Sequence, residues 1–153
     1  MSPLTPDLAE DFTRYVSAPT RVLEAVGSVE WGELNRPGDS GWSARDVLIH
    51  LADVELSDAH AIREILTGDP LESPSPRWDE RWKTRLRYVW RDPELAIERF
   101  RILRFSNAEI LERADNAIWS RSLGGNAAAR DLLEHALKHV DEHVEQIRAL
   151  LHR

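Results

Sequence analysis

The chain has 153 residues, of which 42% are hydrophobic and 31% are charged, which is ordinary for one soluble globular domain spanning residues 1–153. The formal charge of −7 argues against binding of nucleic acid through phosphate contacts, and the absence of cysteine excludes disulfides, thiolate ligands and cysteine nucleophiles. No apolar run approaches a membrane span and the first residues lack the features of a signal peptide, so we expect a cytoplasmic protein with no membrane contact.

The first predicted helix covers residues 7–26, where apolar residues recur at helical spacing. Pro19 lies inside it and predicts either a bent helix or a short helix followed by a second one, because proline removes a helical hydrogen bond. Residues 27–41 are rich in glycine and predict a connector, with Trp31 and Leu34 as candidate anchors on the core.

The second predicted helix begins after Ser43, the expected N-cap, with Asp46 at the third helical position. It ends near Leu66, before Gly68. Its apolar stripe is interrupted by a polar residue, Asp58, and His50 lies one position away from that stripe.

His50 therefore faces the interior or its edge, and Asp53 follows one turn later. Alone, an inward histidine is more often a hydrogen-bonded core residue than a metal ligand. His60 lies on the far side of the helix and is expected to be solvated.

Residues 68–91 form the least regular part of the chain, with three prolines followed by a segment rich in tryptophan and arginine. The spacing of Trp78 and Trp82 suggests a short helix there. Three interpretations remain open: a long crossover anchored by aromatic residues, a wall over a site with arginines meeting an anionic substrate, or a surface for single-stranded nucleic acid. The acidic overall charge disfavours the third.

The third long helix is predicted to begin at Asp92 and Pro93 and to run to about residue 114. Asn107 falls on its apolar stripe and Arg104 beside it, so one polar group or charge is expected to face the interior. Residues 116–126 form a connector with Trp119 as an anchor, and Asn126 is the expected cap of the last helix.

The last predicted helix, residues 132–151, carries three of the six histidines: His135, His139 and His143. Each is four residues from the next, and imidazoles one helical turn apart can bind one metal ion. The apolar face of this helix includes His143 and has His139 at its edge, whereas His135 is rotated toward charged neighbours. Together with His50, the inward pair predicts a site with three histidine ligands in a bundle core.

No stretch shows the period-two alternation of a strand over a useful length. The fold class predicted is therefore all-α: a four-helix bundle with a long crossover between the second and third long helices.

Two motifs in this order, GWSARDVLIHLADVE and HVDEHVEQI about ninety residues later, resemble the DinB/YfiT-like superfamily of metal-binding four-helix bundles. The resemblance extends over nearly the whole chain. It implies zinc or nickel held by His50, His139 and His143, with coordination positions left open, and a homodimeric assembly. It also leaves His135 out of the ligand set, and it departs from the family at Glu142, where members often have a histidine.

The resemblance implies a metal-dependent enzyme acting on a small molecule, either a hydrolase or a transferase that uses a low-molecular-weight thiol as cosubstrate. Two alternatives stay open: a non-catalytic metal- or ligand-binding stress-response protein, and a bundle without metal that acts through dimerisation. Candidates for orienting ligands or substrate around the metal are Asp53, Asp58, Arg104, Gln146 and Trp82.

Overall fold

A computed structural model describes residues 4–68, 79–120 and 129–152. These residues form seven α-helices and one 3₁₀ turn, and no strand occurs among them, which confirms the predicted all-α class. The elements are α1 (Pro6–Val26), α2 (Trp31–Leu34), α3 (Ala44–Thr67), α4 (Asp79–Arg85), the 3₁₀ turn (Tyr88–Trp90), α5 (Pro93–Glu112), α6 (Asn116–Ser120) and α7 (Ala129–Leu151). The four long helices α1, α3, α5 and α7 make the bundle.

The ends of α3 and the start of α5 follow from local sequence. The Ser43 side chain accepts from the backbone N–H of Asp46, and the Asp46 carboxylate accepts from that of Ser43, which forms the predicted capping box. Gly68 ends α3 with φ +84°, a left-handed conformation that glycine adopts at little cost. Asp92 caps α5 by accepting from two backbone N–H groups.

Helix α1 is continuous through Pro19, so the predicted alternative of two separate helices is wrong. Proline leaves the carbonyl four residues earlier, that of Tyr15, without its helical N–H partner. The Arg104 Nη1 donates to this oxygen at 3.4 Å, and Pro19 itself is buried. A hydrogen bond from a neighbouring helix thus replaces the missing one.

Helices α3 and α5 are neighbours and run parallel, because the residue numbers of the contacting pairs increase in the same direction along both helices. The pairs are Asp53–Arg99, Glu55–Arg104 and Arg63–Asn107. When two consecutive long helices run in the same direction, the chain between them must return along the length of the bundle. This explains the long crossover between α3 and α5.

Helices α1 and α7 also run parallel, as contacts near both ends show: Asp7–Arg130, Arg14–Asp141 and Ala25–His152. Both are antiparallel to α3, because Leu8 shares a hydrophobic cluster with Ile65 and Leu133, whereas Val26 and Ile147 share one with Val47. The four long helices therefore run up, down, down and up in chain order.

A polar layer lies between the two hydrophobic clusters. Glu55, buried to 1% exposure, accepts from Tyr15 Oη at 3.0 Å, from Arg104 Nη2 at 2.6 Å and from Asn107 Nδ2 at 2.9 Å. The Arg104 guanidinium also lies 3.9 Å from the centre of the Tyr15 ring. One carboxylate thus ties α1, α3 and α5 together. The sequence predicted one inward polar group or charge on α5, and both Arg104 and Asn107 are buried.

The connectors agree with the sequence in part. Leu34 and Trp119 are buried as predicted, but Trp31 is 45% exposed and does not act as an anchor. The tryptophan-rich segment does contain a helix, α4. The predicted roles of Trp78 and Asn126 fall outside the described residues. In the described part of the chain, the helices are too short or too polar to cross a membrane.

We expect Arg104→Leu to lower the free energy of unfolding by about 3–5 kcal/mol, because it leaves the buried Glu55 carboxylate without its charged partner. Urea denaturation measures the loss. The matched control is Arg101→Leu, which removes an arginine of the same helix whose ion pair with Glu98 is solvent-exposed and should cost little. Equal losses in both variants would contradict a stabilising role for the buried pair.

Burial, and then the negative charge of Glu55, raise the pKa of Tyr15 well above its ordinary value of 10.0. When a group has a higher pKa in the folded state than in the unfolded state, its contribution to stability is fully present below the unfolded-state pKa. That contribution is lost as the pH rises through the folded-state pKa. The unfolding free energy of the wild type should therefore fall with pH above 10, and the decline should be smaller in Tyr15→Phe. Denaturation curves at several alkaline pH values test this, and identical slopes would refute it.

Candidate metal centre

Three histidines converge where α3 faces α7. His50 is fully buried on α3, and His139 and His143 are half-buried on α7. His139 Nε2 lies 3.1 Å from His50 Nε2 and 3.0 Å from His143 Nε2. One ligand atom of each residue lies within 4.8 Å of the others, so the group could hold a metal ion.

Hydrogen bonding fixes which nitrogen of His143 faces the cluster. The Gln146 side-chain oxygen lies 2.8 Å from His143 Nδ1, and an amide oxygen can only accept, so Nδ1 carries the proton. In the neutral ring, Nε2 then directs its lone pair toward His139. This is the arrangement in which a metal-binding histidine is oriented by a partner on its other nitrogen.

The spacing also fits a metal. Ligand nitrogens about 2.0–2.1 Å from a zinc ion, at angles between about 90° and 110°, lie about 2.9–3.4 Å apart. The Nε2 separations of 3.1 Å (His50–His139) and 3.0 Å (His139–His143) fall in that range. Three neutral imidazoles are a donor set that suits zinc and nickel, so the residues present fit a divalent metal.

Aromatic residues from the segment before α3 and from the crossover pack around His50. The Trp42 ring meets His50 edge-on at 5.7 Å between centroids, and the Trp82 ring lies 6.3 Å away. Tyr88, from the 3₁₀ turn, packs against Trp42 at 6.4 Å. These three rings, which we call the aromatic wall, shield the buried histidine from water.

Helix α4 is held against the start of α3 by polar contacts. Trp42 Nε1 donates to a Glu80 carboxylate oxygen. Lys83 Nζ donates to the Gly41 carbonyl at 2.5 Å and lies 5.3 Å from the centre of the Trp42 ring. The crossover thereby brings Trp82 to His50, and Trp82 also packs against the hydrophobic core, so the anchoring and the wall interpretations of this segment both stay open.

His135 and His60 differ from the three clustered histidines in being exposed. The His135 ring stacks on His139 at 6.2 Å with an interplanar angle of 13°. It thus lies at the rim of the site, where the helical periodicity predicted it.

The remaining candidate residues, which were expected to orient ligands or substrate, divide into those that contact a histidine and those that pair elsewhere. Gln146 contacts His143 and Trp82 contacts His50. Asp53 instead forms a two-pronged ion pair with Arg91, at 2.5 and 2.8 Å, which raises the pKa of that arginine. This pair ties the crossover to α3.

Arg104 and Asp58 are both buried. The charge of Arg104 is engaged by Glu55 in the polar layer. Asp58 lies about 12 Å further along α3 than His50, and its charge contributes to raising the pKa of Tyr15. A role for Asp53, Asp58 or Arg104 at the histidines stays a prediction.

Sequence reasoning missed two contributors to the site. Trp42 directly precedes the cap of α3, a position that could have indicated packing against the first turns of that helix. Glu80 carried no signal, because its partnership with Trp42 joins segments 38 residues apart.

Comparisons with known proteins identify the family and the fold. The DinB superfamily model matches residues 14–147, and the chain therefore belongs to the DinB superfamily. Its structure is similar to that of YfiT from Bacillus subtilis, described as a probable metal-dependent hydrolase with an unusual four-helix bundle topology. The TM-score is 0.81 at 18% identity, covering 98% of this chain and 89% of YfiT. A search of curated proteins found no significant match.

Replacement of Gln146 by alanine should weaken binding of a divalent metal about 10–100-fold, because His143 loses the acceptor that orients it. Competition with a chromogenic chelator measures the affinity. Glu145→Ala is the matched control, since this exposed neighbour pairs with Arg148 instead. Unchanged affinity in Gln146→Ala would show that the hydrogen bond does not support metal binding.

Proposed function

We propose that this protein is a metal-dependent enzyme that hydrolyses a small substrate or transfers a low-molecular-weight thiol to one. The observation that carries the proposal is the convergence of His50, His139 and His143 at a centre that is buried on one side and half-exposed on the other. Three neutral ligands preserve the charge of a divalent metal and leave positions for other groups.

When bound, a divalent metal supplies Lewis-acid chemistry: it lowers the pKa of a water or thiol ligand and polarises a substrate. The chain's own residues prepare the centre for this. His50, His139 and His143 would hold the ion, and Gln146 keeps His143 in the required tautomer. The aromatic wall keeps water from His50, so a substrate would approach from the side of His139 and His143.

Hydrolysis and thiol transfer make different demands on the protein. Hydrolysis needs only water, whereas thiol transfer needs an external cosubstrate because the chain has no cysteine. The half-exposed face of the histidines is compatible with either. We propose zinc or nickel as the metal, since neutral imidazoles suit both ions. A cytoplasmic location and a homodimer are part of the same proposal.

Metal analysis of protein purified without a histidine tag tests the site. We expect about one equivalent of divalent metal in the wild type, and in His139→Ala a loss of affinity larger than the roughly 10–100-fold typical of outer-shell changes. His135→Ala is the matched control, because it removes an exposed histidine one turn away on the same helix. Metal retained equally by both variants would reject the proposed ligand set.

Turnover assays separate the reactions. The metal-loaded protein is assayed with ester and amide substrates in water, and with electrophiles plus low-molecular-weight thiols, and His139→Ala is the inactive control. Rate enhancement that requires the thiol supports transfer, and enhancement without it supports hydrolysis. One bound metal with no turnover in either assay would favour the non-catalytic binding protein instead.

A further inference from the structure

A cavity of about 490 Å³ lies close to Trp42, whose ring is contacted by Lys83 of the cavity lining and by His50. It is formed where the crossover returns to the start of α3. Three cationic residues line it, Arg45 from α3, Lys83 from α4 and Arg87 from the link to the 3₁₀ turn. A cationic cavity is unexpected in a chain whose net charge is −7.

The acid that lines the cavity does not balance these charges. Asp46 is the acidic residue among the lining residues, and its carboxylate is engaged with the Ser43 backbone at 3.0 Å and with Lys83 at 3.7 Å. The formal charge of the lining side chains is thus positive by two. Like charges collected in one concave site repel each other unless an anion or solvent offsets them.

Arg45 is placed with spare donors. Its Nη1 donates to the Val89 carbonyl at 2.7 Å, which fixes the side chain. Its Nε is buried, and no acceptor among the described residues reaches it. Val89 also lines the cavity, so its hydrogen bond with Nη1 holds the Arg45 guanidinium group at the cavity.

Arg87 is held in a strained backbone conformation, with φ +50° and ψ +57°. Among the described residues it is the one non-glycine residue with positive φ. Glycine would adopt this conformation without strain. The presence of an arginine therefore indicates a functional role for its side chain, because strain of this kind is concentrated at functional sites.

The N-terminus of α3 is not itself the anion site. The capping box of Ser43 and Asp46 already occupies N–H groups of its first turn. The attraction for an anion comes from the three side chains, two of which are brought by the crossover.

We propose that this cavity binds a small-molecule oxyanion, a carboxylate or a phosphate, through Arg45, Lys83 and Arg87. Guanidinium and ammonium groups are the donors that recognise such anions. The site goes beyond the proposed metal function and does not depend on it. The Trp42 indole contacts both Lys83 and His50, so an anionic group bound here would lie close to the candidate metal centre.

Calorimetric titration with inorganic phosphate and with malonate tests the proposal on the full chain. We expect saturable binding of at least one of the two probes that weakens with added salt. The Arg87→Gly variant should bind about 10-fold more weakly. Glycine suits the left-handed conformation, so this variant should fold at least as stably as the wild type.

Arg85→Ala is the matched control, because Arg85 is an exposed arginine of α4 that does not line the cavity. Its affinity should equal that of the wild type. His139→Ala should also bind the probe normally, which separates this proposal from the metal site. Equal weakening in Arg85→Ala and Arg87→Gly would reduce the effect to general charge, and no saturable binding of either probe would overturn the proposal.

Discussion

The parallel pairing of α3 and α5 is the constraint on which the rest of the structure depends. Two helices that are adjacent in the bundle and run in the same direction cannot be joined by a short turn, so the chain between them must travel back to the start of α3. The pairing itself is stabilised in the core by Glu55, which binds Arg104 and Asn107 of α5. Because Glu55 also accepts from Tyr15, the same carboxylate fixes the position of α1.

The crossover supplies residues that pack around His50 and that the four long helices do not provide. It brings Trp82 to His50 and holds Trp42 through Glu80, so the buried histidine has an apolar surrounding on one side. The antiparallel neighbour α7 supplies His139 and His143 on the other side. The candidate metal centre therefore lies between a pair of helices whose directions are set by the topology, and the crossover encloses it. The cationic cavity is a second product of the same return path.

Much of this was predictable from local sequence patterns. Helix positions, the capping box at Ser43 and the inward orientation of Arg104 follow from periodicity and capping, which act over a few residues. Helical periodicity also predicted that His135 lies outside the inward-facing pair of His139 and His143 on α7. What could not be predicted depends on contacts between distant segments. Pro19 did not divide α1, because an arginine 85 positions later donates to the carbonyl it leaves free. Trp31 is exposed and Glu80 binds Trp42, and neither fact has a local signature.

The central claim is that His50, His139 and His143 together hold one metal ion. X-ray absorption spectroscopy of the zinc-loaded, untagged protein tests it most directly, because the spectrum reports the number and type of ligands. We expect three imidazole nitrogens at about 2.0–2.1 Å, with the remaining coordination supplied by exchangeable oxygen ligands. A zinc ion bound by one imidazole or by carboxylates alone would contradict it.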